Sequence, residues 1–365
     1  MLILAMLTVT VAATLAFANG GNDVSKGVAT LAGCGRATYR RAIAWGTLWT
    51  AAGAAAALVI GAGLVKAFTS SLVEPHVLAS PVFALAVAAG AAGWVMFATR
   101  TGLPVSTTHA LAGALVGVAF AIGGPGSIRW EPLLVWIAAP LALGPLVSGV
   151  IGYGVQATSA RWSRACVCVE DAMVVARLPS AGSAVALYVP RVTASSTGCD
   201  DGSAAVRRVL SANSLHWAAA AALSFARGVN DTPKIAAIAA LGLAGLTVDL
   251  SLAFVVTGVA MVAGSYLAGR RVTETLGKRV VDMDRDSGLA SALVAAGLVM
   301  AASFFILPVS TTHVSTGAIV GAGVRQGEAA VKWQSVRALV LAWIVTLPVA
   351  AALGALGVIA AVRVL

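Results

Sequence analysis

The heptapeptide Leu103-Pro-Val-Ser-Thr-Thr-His109 returns unchanged as Leu307-Pro-Val-Ser-Thr-Thr-His313, 204 positions later. A second pair sits at nearly the same offset. Leu15-Ala-Phe-Ala-Asn-Gly-Gly-Asn22-Asp23-Val-Ser-Lys26 is matched by Leu223-Ser-Phe-Ala-Arg-Gly-Val-Asn230-Asp231-Thr-Pro-Lys234, an offset of 208. Two motifs repeated in the same order at one spacing mean an internal duplication, so the chain must fold as two copies of one unit.

The unit is read from the stretches between the motifs. Only 10% of the 365 residues are charged, 59% are hydrophobic and mean hydropathy is +0.93. Soluble domains carry roughly 25% charged residues. The charges cluster between apolar runs of about 20 residues, the length that crosses a hydrocarbon core. A β-barrel would instead show short alternating segments. An all-α polytopic membrane protein is the expected class. Each half has five apolar segments, near 1–32, 42–65, 77–98, 103–123 and 132–155, then 212–243, 247–268, 288–306, 307–324 and 335–361.

An odd number of crossings makes the second half enter from the opposite face, giving two inverted-topology repeats. The basic loops agree. Arg36, Arg40 and Arg41 follow the first segment, whereas the matching loop near 242–247 has no basic residue. Arg270, Arg271, Lys278 and Arg279 follow the second segment of the second half, whereas the first-half equivalent has only Lys66. Basic loops on the cytoplasmic side put both termini outside. The expected domains are 1–155 (first transmembrane repeat), 156–210 (cytoplasmic linker or small domain) and 211–365 (second, inverted repeat).

The net charge of +10 is explained by these loops rather than by nucleic-acid binding, since no aromatic-interleaved basic stripe is present. Ala16-Phe17-Ala18 resembles a signal-cleavage site, but there is no basic n-region and the segment has an internal counterpart, so a membrane helix is expected there. Cys34, Cys166, Cys168 and Cys199 form no C-x-x-C pair and read as free thiols. Within 156–210, two apolar stretches, Val167–Val175 and Ala186–Val189, read as short strands.

Two constellations carry the chemistry. Asn22-Asp23 with Lys26, and Asn230-Asp231 with Lys234, place charges in apolar spans at a cost of about 2.5–3.5 kcal/mol each on insertion scales. An Asp–Lys pair at i, i+3 can be a simple internal ion pair. The adjacent Gly20, Gly21, Gly228 and Pro233 suggest instead broken helices, whose free carbonyls and Asn and Asp oxygens would hold a hard cation such as Na+. In the second constellation, Pro104 and Pro308 precede Ser106-Thr107-Thr108 and Ser310-Thr311-Thr312, the pattern of a capped helix start. Two such N-termini, in re-entrant hairpins at mid-membrane, would offer N–H groups and hydroxyls to one tetrahedral oxyanion. The Gly113-x-x-x-Gly117 and Gly317-x-x-x-Gly321 pairs that follow suit close helix packing. His109 and His313 could donate to the anion, carry a proton or bond within the bundle, and the last is preferred.

The paired Gly-x-Asn-Asp segments (Gly20–Asp23, Gly228–Asp231) and Pro-x-Ser-Thr-Thr hairpins resemble the inorganic phosphate transporter (Pit) family of anion:cation symporters over nearly the whole chain except 156–210. The resemblance implies a homodimeric helical carrier in the cytoplasmic membrane, importing phosphate with Na+ or H+, and no enzyme or resident cofactor. It implies substrate contacts from Asn22, Ser106, Thr107, Thr108, Asn230, Ser310, Thr311 and Thr312, with Lys26 and Lys234 added. Asp23, Asp231, Asn22 and Asn230 become candidate Na+ ligands. Small residues commonly follow the family's Asn-Asp, and here Lys26 and Lys234 depart from that pattern. Importing a dianion against about 100 mV costs roughly 4.6 kcal/mol, which two co-transported cations cancel. The alternatives are a sulfate permease of the same fold and, remotely, an intramembrane serine hydrolase using Ser106 or Ser310 with the following His.

Overall fold

In the computed structural model, residues 2–61, 63, 65, 72–162, 166–177, 184–195, 206–244, 249–305, 307 and 309–364 are described. Among them are ten helices of sixteen residues or more, five on each side of a small sheet. The first five are α1 (Leu2–Gly33), α2 (Tyr39–Ile60), α3 (Phe83–Thr101), α4 (Thr107–Gly123) and α5 (Ala139–Trp162). The second five are α6 (Ala212–Gly242), α7 (Leu250–Ala268), α8 (Arg285–Phe304), α9 (Thr311–Gln326) and α10 (Trp333–Val364). Seven helices are long and apolar enough to cross a membrane by length and composition. The ten apolar segments expected from the sequence each have their helix.

The packing respects the duplication. Helix α1 lies against α7, as α6 lies against α2; α4 against α10, as α9 against α5; α1 against α3, as α6 against α8. Each contact becomes its partner when the halves are exchanged. The equivalent helices α1 and α6 also touch, and they run antiparallel. Thr8 meets Gly242, Asn19 meets Asp231, Gly27 meets Ser224, and Thr30 Oγ1 lies 2.9 Å from His216 Nε2.

The expected helix breaks are absent. Helix α1 continues through Gly20-Gly21, and α6 continues through Gly228 and Pro233. The glycines instead let backbones approach. A Cβ on Gly20 would collide with the carbonyl of Met261 on α7, and one on Gly228 would sit 2.6 Å from the carbonyl of Thr50 on α2. A glycine costs a helix only about 1 kcal/mol, which packing of this kind offsets. Pro233 removes one backbone donor without ending the helix.

The bundle exposes large apolar side chains and buries charged ones within a largely apolar interior. Leu146 and Val150 on α5, with Leu341 and Ile344 on α10, are exposed, while Arg227, Lys26 and Lys234 are among the largest fully buried side chains. Only an apolar surrounding makes that distribution favourable.

Between the halves, β1 (Cys166–Arg177), β2 (Ala184–Ser195) and β3 (Val206–Ser211) form an antiparallel sheet in the order β2-β1-β3. Strands β1 and β2 are longer than the apolar stretches suggested, and β3 was not expected. Ser211 ends β3 and caps α6, its hydroxyl accepting from Ser214 N while Ser214 Oγ accepts from Ser211 N. Pro308, Lys66 and Cys199 lie outside the described residues.

Candidate functional site

Ser106 and Ser310 are extended residues at the N-caps of α4 and α9, and each hydroxyl accepts from the N–H three residues on, His109 or His313, at 3.2 Å. The remaining first-turn N–H groups of both helices have no intrahelical acceptor. The turn before α4 is fastened to the middle of α1. Asn22 Nδ2 donates to Leu103 O (2.9 Å) and Thr99 Oγ1 (3.3 Å), and Asn22 Oδ1 accepts from Val105 N (3.1 Å). The turn between α3 and α4 therefore lies beside Asn22 of α1.

The two hairpins are cross-bonded. Thr312 Oγ1 donates to Val105 O at 2.7 Å, and Thr108 Oγ1 approaches Val309 O at 3.5 Å. Behind them the imidazoles of His109 and His313 stack with centroids 4.6 Å apart, and His313 also faces Trp343 at 4.0 Å. Trp343 Nε1 donates to Pro104 O.

The charged residues lie directly beneath. Asp23 Oδ1 accepts from Lys26 Nζ at 2.6 Å, and Asp231 Oδ1 from Lys234 Nζ at 3.3 Å. Both pairs are the i, i+3 arrangement that the spacing allowed. The carboxylates are joined by Asn19, whose Nδ2 reaches Asp23 Oδ2 (3.1 Å), Asp231 Oδ2 (3.4 Å) and Thr107 Oγ1 (2.9 Å). Lys234 Nζ crosses to the other half, donating to Thr108 Oγ1 at 2.9 Å. All twelve sequence-predicted residues gather in this cluster, and none is more than 4% exposed.

Sequence reasoning missed two members. Asn19 and Arg227 occupy equivalent repeat positions, four residues before each Asp and so on the same helix face. That spacing was the available signal. Arg227 is fully buried, donating to Thr50 Oγ1 (2.6 Å), Ser265 Oγ (3.2 Å) and Asn19 Oδ1 (3.5 Å). Three cations thus face two carboxylates. Opposite charges at hydrogen-bond distance repay part of the cost of burial, and the surplus positive charge favours an anion.

A duplicated polar cluster buried inside a helical bundle with an apolar exterior defines a multi-pass membrane protein. The family model described as the phosphate transporter family matches residues 4–354. A putative phosphate permease of Pyrococcus horikoshii is 26% identical, the match covering 94% of each chain. A probable low-affinity inorganic phosphate transporter of Bacillus subtilis is 26% identical over 98% of this chain and 96% of its own. Among solved structures, a sodium-dependent phosphate transporter superposes with a TM-score of 0.77 at 20% identity, covering both chains fully, a likeness of fold. The chain belongs to the phosphate transporter family. Its members are membrane transporters of inorganic phosphate and not enzymes, so the serine hydrolase reading falls. The Ser310 Oγ–His313 Nδ1 contact of 2.6 Å that would have served it is part of the helix cap.

Proposed function

We propose that the chain is a secondary active transporter that imports inorganic phosphate across the cytoplasmic membrane, coupled to Na+ or H+. The observation that carries this reading is the pair of cross-bonded helix N-termini, Ser106–Thr108 and Ser310–Thr312, set over Asp23 and Asp231. Unpaired N–H groups and hydroxyls from both halves suit a tetrahedral oxyanion. Asn22, Asn230 and the nearby positive charge of Lys26 and Lys234 complete its surroundings, and the Asn-Asp pairs are the cation-binding elements.

The antiparallel run of α1 and α6 supports an inverted repeat, and with it alternating access by rocking of one half against the other. Both termini then lie outside, with the sheet in the cytoplasm, and the working unit is a homodimer in the bilayer. Sulfate is the competing substrate, since it is also a tetrahedral dianion. Uptake of labelled phosphate into proteoliposomes tests the reading. It is expected to require a Na+ or proton gradient and to resist excess sulfate. Uptake of labelled sulfate, undiminished by excess phosphate, with none of labelled phosphate would make the chain a sulfate permease, and uptake indifferent to both gradients would end the symport reading.

A further inference from the structure

The two lysines occupy equivalent repeat positions and do different things. Lys26 Nζ lies 2.8 Å from Asn22 O, 2.7 Å from Asn22 Oδ1 and 2.6 Å from Asp23 Oδ1. An ammonium has three N–H donors, and these three oxygens use them all. Nothing remains for a phosphate oxygen. The oxygens are one backbone carbonyl, one amide carbonyl and one carboxylate, all hard ligands; Asn22 O also accepts from Ser25 Oγ (2.7 Å) and Asn22 Oδ1 from Val105 N (3.1 Å). The three oxygens come from adjacent residues of a single helical turn and converge on one point, where the nitrogen sits.

The second half is arranged otherwise. Lys234 Nζ lies 3.3 Å from both Asp231 Oδ1 and Val309 O, and its shortest contact is the 2.9 Å one to Thr108 Oγ1, at the N-terminus of α4. It does not bond Asn230 Oδ1, which is buried and has no hydrogen-bond partner. Lys234 keeps a longer contact to Asp231 and spends its other donors on Thr108 and Val309, leaving the oxygen of Asn230 unused.

We propose that Lys26 is a tethered cation that permanently occupies the first-half cage of Asn22 O, Asn22 Oδ1 and Asp23 Oδ1, so that only the second half, at Asn230 and Asp231, is left to take an exchangeable cation. This rests on the reading of the cluster as an anion and cation site, and it assigns the two lysines separate duties. Lys26 supplies a fixed charge where a travelling ion would otherwise bind. Lys234 bridges Asp231 to the starts of both hairpin helices through Thr108 and Val309.

Melting of the purified protein, without phosphate, separates this from the transport reading. Tm is compared in sodium chloride and in N-methylglucamine chloride of equal ionic strength. Removing the ammonium opens the cage, so Lys26→Ala is expected to gain a Na+-specific rise of about 3 °C or more over that of the wild type. Lys26→Met, which keeps the stem without the charge or any N–H donor, serves if the alanine variant does not fold, and is read in the same way. A Na+ response no larger than that of the wild type overturns the proposal. Since no transport is measured, such a failure leaves the phosphate reading standing, whereas a wild type that moves no phosphate would sink that reading and leave the melting comparison valid.

Discussion

Thr312 donates its hydroxyl to the carbonyl of Val105, 2.7 Å away and 207 positions earlier in the chain. The bond ties the first turn of α9 to the turn before α4. A buried hydrogen bond contributes about 0.5–1.5 kcal/mol, and an orphaned partner costs more than the bond was worth. Thr312→Val keeps the shape and removes the donor. It is expected to lower Tm and to raise the KM for phosphate, because the two helix starts are then no longer held in register. Unchanged uptake kinetics would show that the cross-bond does not position the substrate.

Asp23→Asn and Asp231→Asn are each expected to abolish uptake, but with unequal effects on stability. The Lys26–Asp23 pair is tight at 2.6 Å, and the Lys234–Asp231 pair is loose at 3.3 Å. Breaking a well-formed buried pair costs about 3–5 kcal/mol, because the surviving charge is left unpaired. Asp23→Asn should therefore melt well below Asp231→Asn. Uptake retained in either variant, measured with labelled phosphate, would remove that carboxylate from the site.

Ser106→Ala and Ser310→Ala both lose an N-cap, worth about 1 kcal/mol. Ser310 also contacts His313 Nδ1 at 2.6 Å, whereas His109 Nδ1 has no partner. Both variants are expected to bind phosphate more weakly, with Ser310→Ala the less stable, since it strands a buried ring nitrogen. Isothermal binding and melting curves on the two variants test the order.

Helix contact through glycine makes a further distinction. A Cβ at Gly264 would strike the backbone of Phe17, while one at Gly297 would meet nothing within 4 Å. Gly264→Val should prevent α1 and α7 from closing and reduce the folded yield in the membrane. Gly297→Ala should be tolerated, with a gain of up to about 1 kcal/mol from helix propensity. Size-exclusion profiles of the two variants are the measurement.

The duplication made much of this fold readable. Ten apolar segments gave ten helices, and residues spaced 204 or 208 apart met in one cluster. What misled was glycine. Gly20, Gly21 and Gly228 lie in continuous helices. A glycine that breaks a helix and one that admits a neighbour look alike until the neighbour is known, and here the neighbours are Met261 and Thr50, far along the chain. Asn19 and Arg227 were missed for a related reason. The duplicated motif directs the eye to identities, and this is one of the positions where the copies differ. Strand β3 has a short, Arg-rich sequence, Val206-Arg-Arg-Val-Leu-Ser211, whose pairing with β1 depends on tertiary context.

The mismatch between Asn19 and Arg227 has a consequence for the resting molecule. When a carrier of two antiparallel halves turns inside out, each half takes up the role of the other. Were the halves identical, the states open to opposite sides would be related by a two-fold rotation and equal in energy. Arg227 carries its charge on one half only, and its partners Thr50 and Ser265 come from α2 and α7. On the proposed inverted-repeat reading this unequal charge is one of the differences between the halves that make the two access states unequal in energy, so that an idle transporter would favour one side.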